Sequence, residues 1–468
     1  MVFSSYAFLC FLLPVVLILN IAVRNVRFRN GLLLVASLLF YAYGEPVYII
    51  LLIISILMNY LFGLMVTRKR GKTILAIAVV CNIGLLFVFK YLGFVLGTID
   101  SLTGGGLPFS IPGIRLPIGI SFYTFQALSY VIDVFRGDCE PQRNVFRLML
   151  YVSFFPQLIA GPIIKYHDVD EQIEDREVTA EDLRAGMLRF SFGLGKKILI
   201  ANVMAEAADA LFAVSGASMG ALAAWVAAIA YVLQIYFDFS GYSDMALGLG
   251  RMFGFHFPEN FDHPYIAESV KDFWRRWHIS LSSWFKEYVY IPLGGNRKGR
   301  VRTILNRYIV FILTGIWHGA NWTFLLWGLW HGTFLVIEGR GMASTKSFLR
   351  KMIRHIYTLL EVTLGFVLFR ADTIGQAWNV IKAMFGFGGF AGTAYTTAVS
   401  FLAPYYLLVF GIAVAGSTDI AGKIAVLLMR RRRIAGMVTA MTASLLILVL
   451  CFLQLASNSY NPFIYFRF

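Results

Sequence analysis

Charge is scarce in this chain. Asp, Glu, Lys and Arg make up only 14% of its 468 residues and 58% are hydrophobic, whereas a soluble globular domain carries roughly 25% charged residues. That balance excludes an ordinary soluble enzyme and points to a polytopic membrane protein. Acid is scarcer still, 26 residues against 41 basic ones, for a net charge of +15. In a soluble protein this would suggest a nucleic-acid partner. Here the basic residues lie mainly in short gaps between apolar runs, the pattern that sets orientation in a lipid bilayer, so no nucleic acid is expected. A minority could meet anionic lipid or donor phosphates. Cysteine is nearly missing: Cys10, Cys81, Cys139 and Cys451 are scattered without a CxxC pair, so neither a metal site nor a disulfide framework is indicated. No GxxxxGKS loop or HExxH helix occurs, which argues against an ATP-driven pump and a zinc protease.

The chain is filled instead by apolar runs, several of them near the ~20 residues that a spanning helix needs. The first, Tyr6 to Val23, has no basic start and no small-residue cleavage site, so it is expected to be a retained span with its N-terminus outside. Leu32 to Tyr43, Val47 to Val66, Ile74 to Gly97 and Pro117 to Phe135 follow, with the basic gaps read as inside and the others as outside. Val145 to Ile164 carries Pro156 and a Gly161-Pro162 pair and predicts a re-entrant or unwound segment. His167 to Asp182 is acidic and reads as a solvated loop. Later spans are expected at Leu194 to Val214, Leu222 to Phe239, Ile304 to Trp317, Thr323 to Ile337, Ile356 to Leu368, Tyr405 to Ala415 and Ile434 to Ala456. Four arginines, Arg430 to Arg433, place the start of the last one inside. Ser269 to Tyr290 has Phe273, Trp274, Trp277, Leu281, Trp284 and Tyr288 at helical spacing, which predicts one amphipathic helix. No linker bounds a soluble part, so 1–468 reads as a single membrane domain.

Polar groups inside apolar runs are expensive and therefore functional candidates. His318 stands at a break in Gly315-Ile316-Trp317-His318-Gly319-Ala320-Asn321-Trp322, and His331 repeats the pattern in Trp330-His331-Gly332. A sheltered imidazole can accept a proton from a hydroxyl, or it can simply bridge helices. His278 borders the aromatic face of the amphipathic segment as a second catalytic or positioning group. Arg275 and Arg276 beside it suit donor phosphates or interfacial anchoring. Gln234 and Asp238 share a helical face. A buried Asp must pair or protonate, and Asp238 could orient a histidine or tie neighbouring helices. Tyr465, in an aromatic segment from Asn461 to Phe468, belongs to an interfacial belt or serves as a transient acyl carrier.

Taken together, LPIGISFYTFQALSYVIDVFRGD from Leu116, FFPQLIAGPI from Phe154, YFDFSGYSDMALGLG from Tyr236, DFWRRWHISLSSW from Asp272, YIPLGGNRKG from Tyr290 and WHGANWTF from Trp317 resemble the membrane-bound O-acyltransferase (MBOAT) family, in the bacterial branch typified by alginate O-acetylation. The resemblance covers nearly the whole chain. It implies an all-α polytopic fold, a ring of about 10–12 transmembrane helices with re-entrant and amphipathic helices around a tunnel, in a bacterial cytoplasmic membrane. His318 matches the family's essential histidine and His278 its second conserved polar position; Asp238, Gln234 and Asn321, read from the residues alone, are expected in orienting roles. The resemblance also implies an acyl thioester donor, such as acetyl-coenzyme A, with no bound cofactor and no metal. A separate extracytoplasmic partner of the SGNH serine-hydrolase type would finally acylate a polysaccharide such as an alginate-like polymer or peptidoglycan. Tyr465 stands where related tails carry the tyrosine proposed to relay the acyl group, although Arg467 replaces a frequent Gln. Three rivals stay open: D-alanyl transfer to teichoic acid from a carrier protein, a proton-coupled transporter, and a scaffold without chemistry.

Overall fold

The computed structural model describes residues 1–105, 108, 110, 112–159, 161–214, 219–339, 347–389, 392–420, 422–424, 427, 433–457, 460–461 and 463–464, and they hold helices and turns with no strand among them. Tyr465 and Arg430 to Arg432 lie outside the described residues. The chain packs as two compact units, Met1–Phe190 with Met245–Pro258, and Ser191–Asp244 with Glu259–Phe468. Two of the boundaries fall inside the helices Ala180–Gly195 and Ala221–Met252, so no linker marks them.

In the first unit, helix Ile120–Arg136 is buried along almost its whole length. Asn59 and Asn82, on Ile49–Val66 and Gly71–Leu86, exchange amide hydrogen bonds of 3.1 and 2.9 Å. Polar side chains join helices in this way where lipid tails supply no alternative partner. The break predicted around Pro156 is present. Helix Val145–Ser153 stops and Phe155–Leu158 forms a single turn. Tyr151 to Leu158 are all buried, Ser37 Oγ accepts from the Phe155 amide at 3.1 Å, and the Gln157 amide donates to the Tyr151 carbonyl. The opened backbone is thus satisfied by protein, the condition for tolerating it at membrane depth.

In the second unit, Gly299–His318 and Trp322–Glu338 pack backbone to backbone. A Cβ at Gly315 would come within 2.3 Å of the Phe324 carbonyl oxygen, and one at Gly328 within 2.2 Å of that of Phe311. Only glycine allows this approach.

Two expectations change. The amphipathic segment is not one helix: Val270–Arg276 and Ile279–Phe285 are separate, with His278 between them at φ 42°. The 260s strip pulls the chain out of helical register. Asp262 N donates to Arg276 O and Ile279 N to Asn260 O, both at 3.0 Å. The run from Leu194 is interrupted as well, by a wide π-type turn at Lys196–Ala201 that carries two lysines.

Among the described residues, five helices are long and apolar enough to cross a membrane: Ile49–Val66, Gly71–Leu102, Ala221–Met252, Phe348–Arg370 and Ile434–Ser457. Gly392–Ser400 and Pro404–Gly416, bent by 68°, would make a sixth if they form one broken span. Other expected spans fold shorter. Ile120–Arg136 has 17 residues, about 26 Å of helix against a ~30 Å hydrocarbon core.

Candidate active site

Helix Gly299–His318 ends at His318, and its close approach to Trp322–Glu338 fixes the imidazole among aromatic rings. The ring of Trp327 lies 5.0 Å from it edge-on, and those of Trp317 and Phe369 at 5.0 and 5.1 Å. His318 is 5% exposed, so it is shielded from hydrocarbon. It borders a small void of about 10 Å³ together with Ile235, Phe239, Trp277, Trp327, Phe366, Phe369 and Ile464. That is room for about one water molecule.

His278 is fully buried and one of two non-glycine residues with positive φ among the described residues. A left-handed backbone costs a residue with a Cβ roughly 1–2 kcal/mol, and such outliers persist where the surroundings over-determine them. Here Asn260 does so. Its Oδ1 accepts from Ser280 Oγ at 2.9 Å and Ser280 N at 3.2 Å, and lies 3.2 Å from His278 Nδ1, while its Nδ2 donates to Ser243 Oγ at 3.0 Å. With Oδ1 as acceptor, Nδ1 carries the proton. Nε2 is then the basic nitrogen, and no hydrogen-bond partner meets it among the described residues. The rings of His278 and His318 lie on Trp317, at 6.0 and 5.0 Å. The sequence brought both histidines forward. It missed Asn260, which sits in a polar loop without any periodic signal.

Asp238 does not meet a histidine. It pairs with Lys197 at 2.7 Å, both side chains almost fully buried, and its other oxygen accepts from the Ile464 amide at 2.8 Å. Lys197 went unnoticed because it opens an apolar run, where a second lysine, Lys196, reaches Asp244 at 2.7 Å. Residues 460, 461, 463 and 464, beyond the last long helix, are therefore seated inside this unit. Phe463 stacks on Tyr242 with 4.8 Å between ring centres, Asn202 donates to the side chain of Asn461 at 3.2 Å, and the Tyr460 hydroxyl donates to Asp209 at 2.5 Å.

The remaining predicted residues divide by use. Asn321 caps helix Trp322–Glu338 through the Thr323 amide and donates to the Asp372 carbonyl. Gln234 is buried, and its Oε1 has no hydrogen-bond partner among the described residues. Arg276 is held by Asp272 and Asp262. Arg275 pairs with Asp272 but keeps its side chain largely exposed. His331 Nδ1 lies 2.8 Å from Glu361 Oε1, with both side chains fully buried. No group of three or more His, Cys, Asp or Glu able to hold a metal occurs among the described residues.

The profile of the membrane-bound O-acyltransferase family matches residues 142–371. Over the whole of both chains, the sequence is 40% identical to the probable alginate O-acetylase AlgI of Pseudomonas putida. The chain belongs to the membrane-bound O-acyltransferase family. It is a multi-pass membrane O-acyltransferase. A peptidoglycan O-acetyltransferase of Helicobacter pylori is 34% identical over 83% of this chain and 80% of its own. A teichoic acid D-alanyltransferase of Bacillus subtilis is 30% identical over 43% of this chain and 53% of its own. Membership removes the transporter and scaffold as primary readings, and the Lys197 partner of Asp238 leaves this acyltransferase no His–Asp relay at that position.

Proposed function

We propose that this acyltransferase moves an acetyl group from a cytoplasmic thioester, acetyl-coenzyme A, toward an extracytoplasmic polysaccharide, and that a separate serine-hydrolase-type transferase makes the final ester. The observation that carries this reading is the aromatic cage of His318 with Ile464 in the wall of its void. Ile464 immediately precedes Tyr465 in the sequence.

In the first step His318 takes the phenolic proton of Tyr465 as the oxygen attacks the thioester carbonyl. The C–S bond breaks, the coenzyme thiolate takes the proton back from the imidazolium, and an aryl ester of acetate remains. In the second step the partner's serine hydroxyl attacks that ester and regenerates the phenol. His278 lies behind that wall, against Phe239 and Trp317, where it is suited to a positioning role. The exposed Arg275 suits the coenzyme's phosphates. A void of about 10 Å³ holds no acetyl group, so the walls part when donor enters.

Support for acetyl over D-alanyl comes from the acetylases that match most of the chain, whereas the D-alanyltransferase matches under half of it. The test supplies radiolabelled acetyl-coenzyme A to the purified protein without a partner. Label is expected on the protein, in a peptide containing Tyr465, and is lost in Tyr465→Phe. Thioester consumption without labelled protein removes the relay. No thioester consumption, with or without partner, removes the donor.

A further inference from the structure

Residues 460, 461, 463 and 464 are seated in antiparallel order along the run formed by Lys196–Ala201 and Asn202–Ala213. Lys197, with its partner Asp238, meets the far end: Asp238 accepts the Ile464 amide at 2.8 Å, and the Lys197 ammonium lies 5.8 Å from the Phe463 ring centre. The Asn202 side chain then meets Asn461, and Asp209 meets the Tyr460 hydroxyl. In an ordinary α-helix Lys197 and Asn202 would stand about 140° apart. The wide turn between them, closed by a bond from the Asn202 amide to the Lys197 carbonyl, brings them toward one side. Asn202 and Asp209 are seven apart and share that side by α-helical spacing.

Both ends of this cradle reach the His318 site. At one, Ile464 lines the void beside His318. At the other, Asp209 divides its two oxygens: one accepts from Tyr460 at 2.5 Å and the other from Arg370 at 2.6 Å. Arg370 is buried, lies 4.8 Å over the Phe212 ring, and directly follows Phe369, whose ring stands edge-on to the His318 imidazole at 5.1 Å. One carboxylate thus ties the segment to the helix that supplies part of the cage. Burial of the Lys197–Asp238 pair is not by itself a gain in stability, because desolvation offsets the attraction. What the pair supplies is a fixed acceptor for the Ile464 amide.

We propose that Asp209 and Asp238 are positioning residues for acyl transfer, and that they act by seating residues 460–464 beside His318. The inference rests on His318 as the base of the transfer. It does not rest on Tyr465 as the carrier, because Ile464 itself lines the void.

Hydrogen exchange and transfer from labelled acetyl-coenzyme A, measured on the same full-chain preparations in mild detergent, test this. Tyr460→Phe removes one hydroxyl and leaves the Asp209–Arg370 pair in place. It should keep the wild-type melting temperature and speed exchange at the Asn461 and Ile464 amides. Transfer should fall by up to about 10²-fold, the cost of an ångström-scale misplacement near a reacting centre, with the loss in kcat and not in KM. Asp238→Asn should do the same from the other end. It leaves Lys197 buried beside a neutral amide, and Tyr460→Phe keeps the inference testable if that protein misfolds. Asp209→Ala combined with Tyr460→Phe should be no slower than Asp209→Ala alone, since both remove one contact. Wild-type transfer from a variant whose segment exchanges faster would overturn the inference, as would unchanged exchange or losses that multiply in the double variant. A wild type that consumes no thioester overturns the donor instead, and the exchange data still judge the seating.

Discussion

Trp317-His318-Gly319 and Trp330-His331-Gly332 are the same three residues in the same order, and the fold puts them in opposite circumstances. Both imidazoles are buried, and both lie 5.0 Å from Trp327. His331 sits in mid-helix, 2.8 Å from a carboxylate that is as buried as itself. His318 sits at a helix end and faces a void. A buried histidine matched to an acid is committed to holding two helices together. One placed against a void can exchange a proton with something that enters. What distinguishes them is the third partner across the gap, which a tripeptide does not encode.

The comparison is broken most sharply at His318. His318→Ala is expected to lower acetyl transfer by about 10²–10⁴-fold, the range for losing a general base, while the detergent-solubilised protein keeps its melting temperature. Transfer measured with labelled donor, beside a thermal melt, checks both halves. Wild-type transfer in a folded variant would remove His318 from the chemistry.

Glu361→Ala should do the reverse. Removing one member of a buried pair costs about 3–5 kcal/mol, so the melting temperature falls steeply, while transfer per folded molecule holds within a fewfold. If activity collapses at full stability, the structural role given to the His331–Glu361 pair is mistaken.

His278 can be made to separate strain from function. His278→Gly removes the Cβ penalty of the left-handed backbone, roughly 1–2 kcal/mol. It should therefore be more stable than His278→Ala by about that amount, and both should lose transfer. Equal stability of the two variants would mean that the positive φ carries no cost.

The contrast also marks how far the sequence could be read. The helical class, the Pro156 break and the two candidate histidines follow from hydropathy, proline chemistry and the cost of polar groups among apolar ones. Glu361 obeys the same cost rule, as a lone acid within Ile356 to Leu368, and could have been found by it. Lys197 and Asn260 could not. Their significance lies in partners at positions 238 and 278, and no local periodicity links residues 18 or 41 places apart. The break at His278 was hidden for the same reason, because the aromatic spacing from Val270 to Tyr288 stays helical on both sides of it. Apolarity measures burial as well as contact with lipid, so a run's composition alone does not say which of the two it serves. Helix Ile120–Arg136 is apolar since protein covers it.

The smallest effect belongs to the first unit, outside the spans. Burial raises the Asp182 carboxyl, but bonds from Thr179, Arg251 and His256 outweigh it and bring the pKa to about 2 from an ordinary 3.8. A carboxylate lowered in the folded state stabilises that state above its unfolded pKa, and the contribution fades as pH falls through the folded value. The melting temperature of the wild type should therefore decline between about pH 4 and pH 2 more steeply than that of Asp182→Asn, which keeps a side-chain acceptor for Thr179 but has no proton to take up. Parallel pH profiles for the two proteins would mean that Asp182 contributes nothing to acid sensitivity. The histidine variants of the second unit should leave this profile where it is, because His318 and His278 make none of the contacts that lower the Asp182 carboxyl.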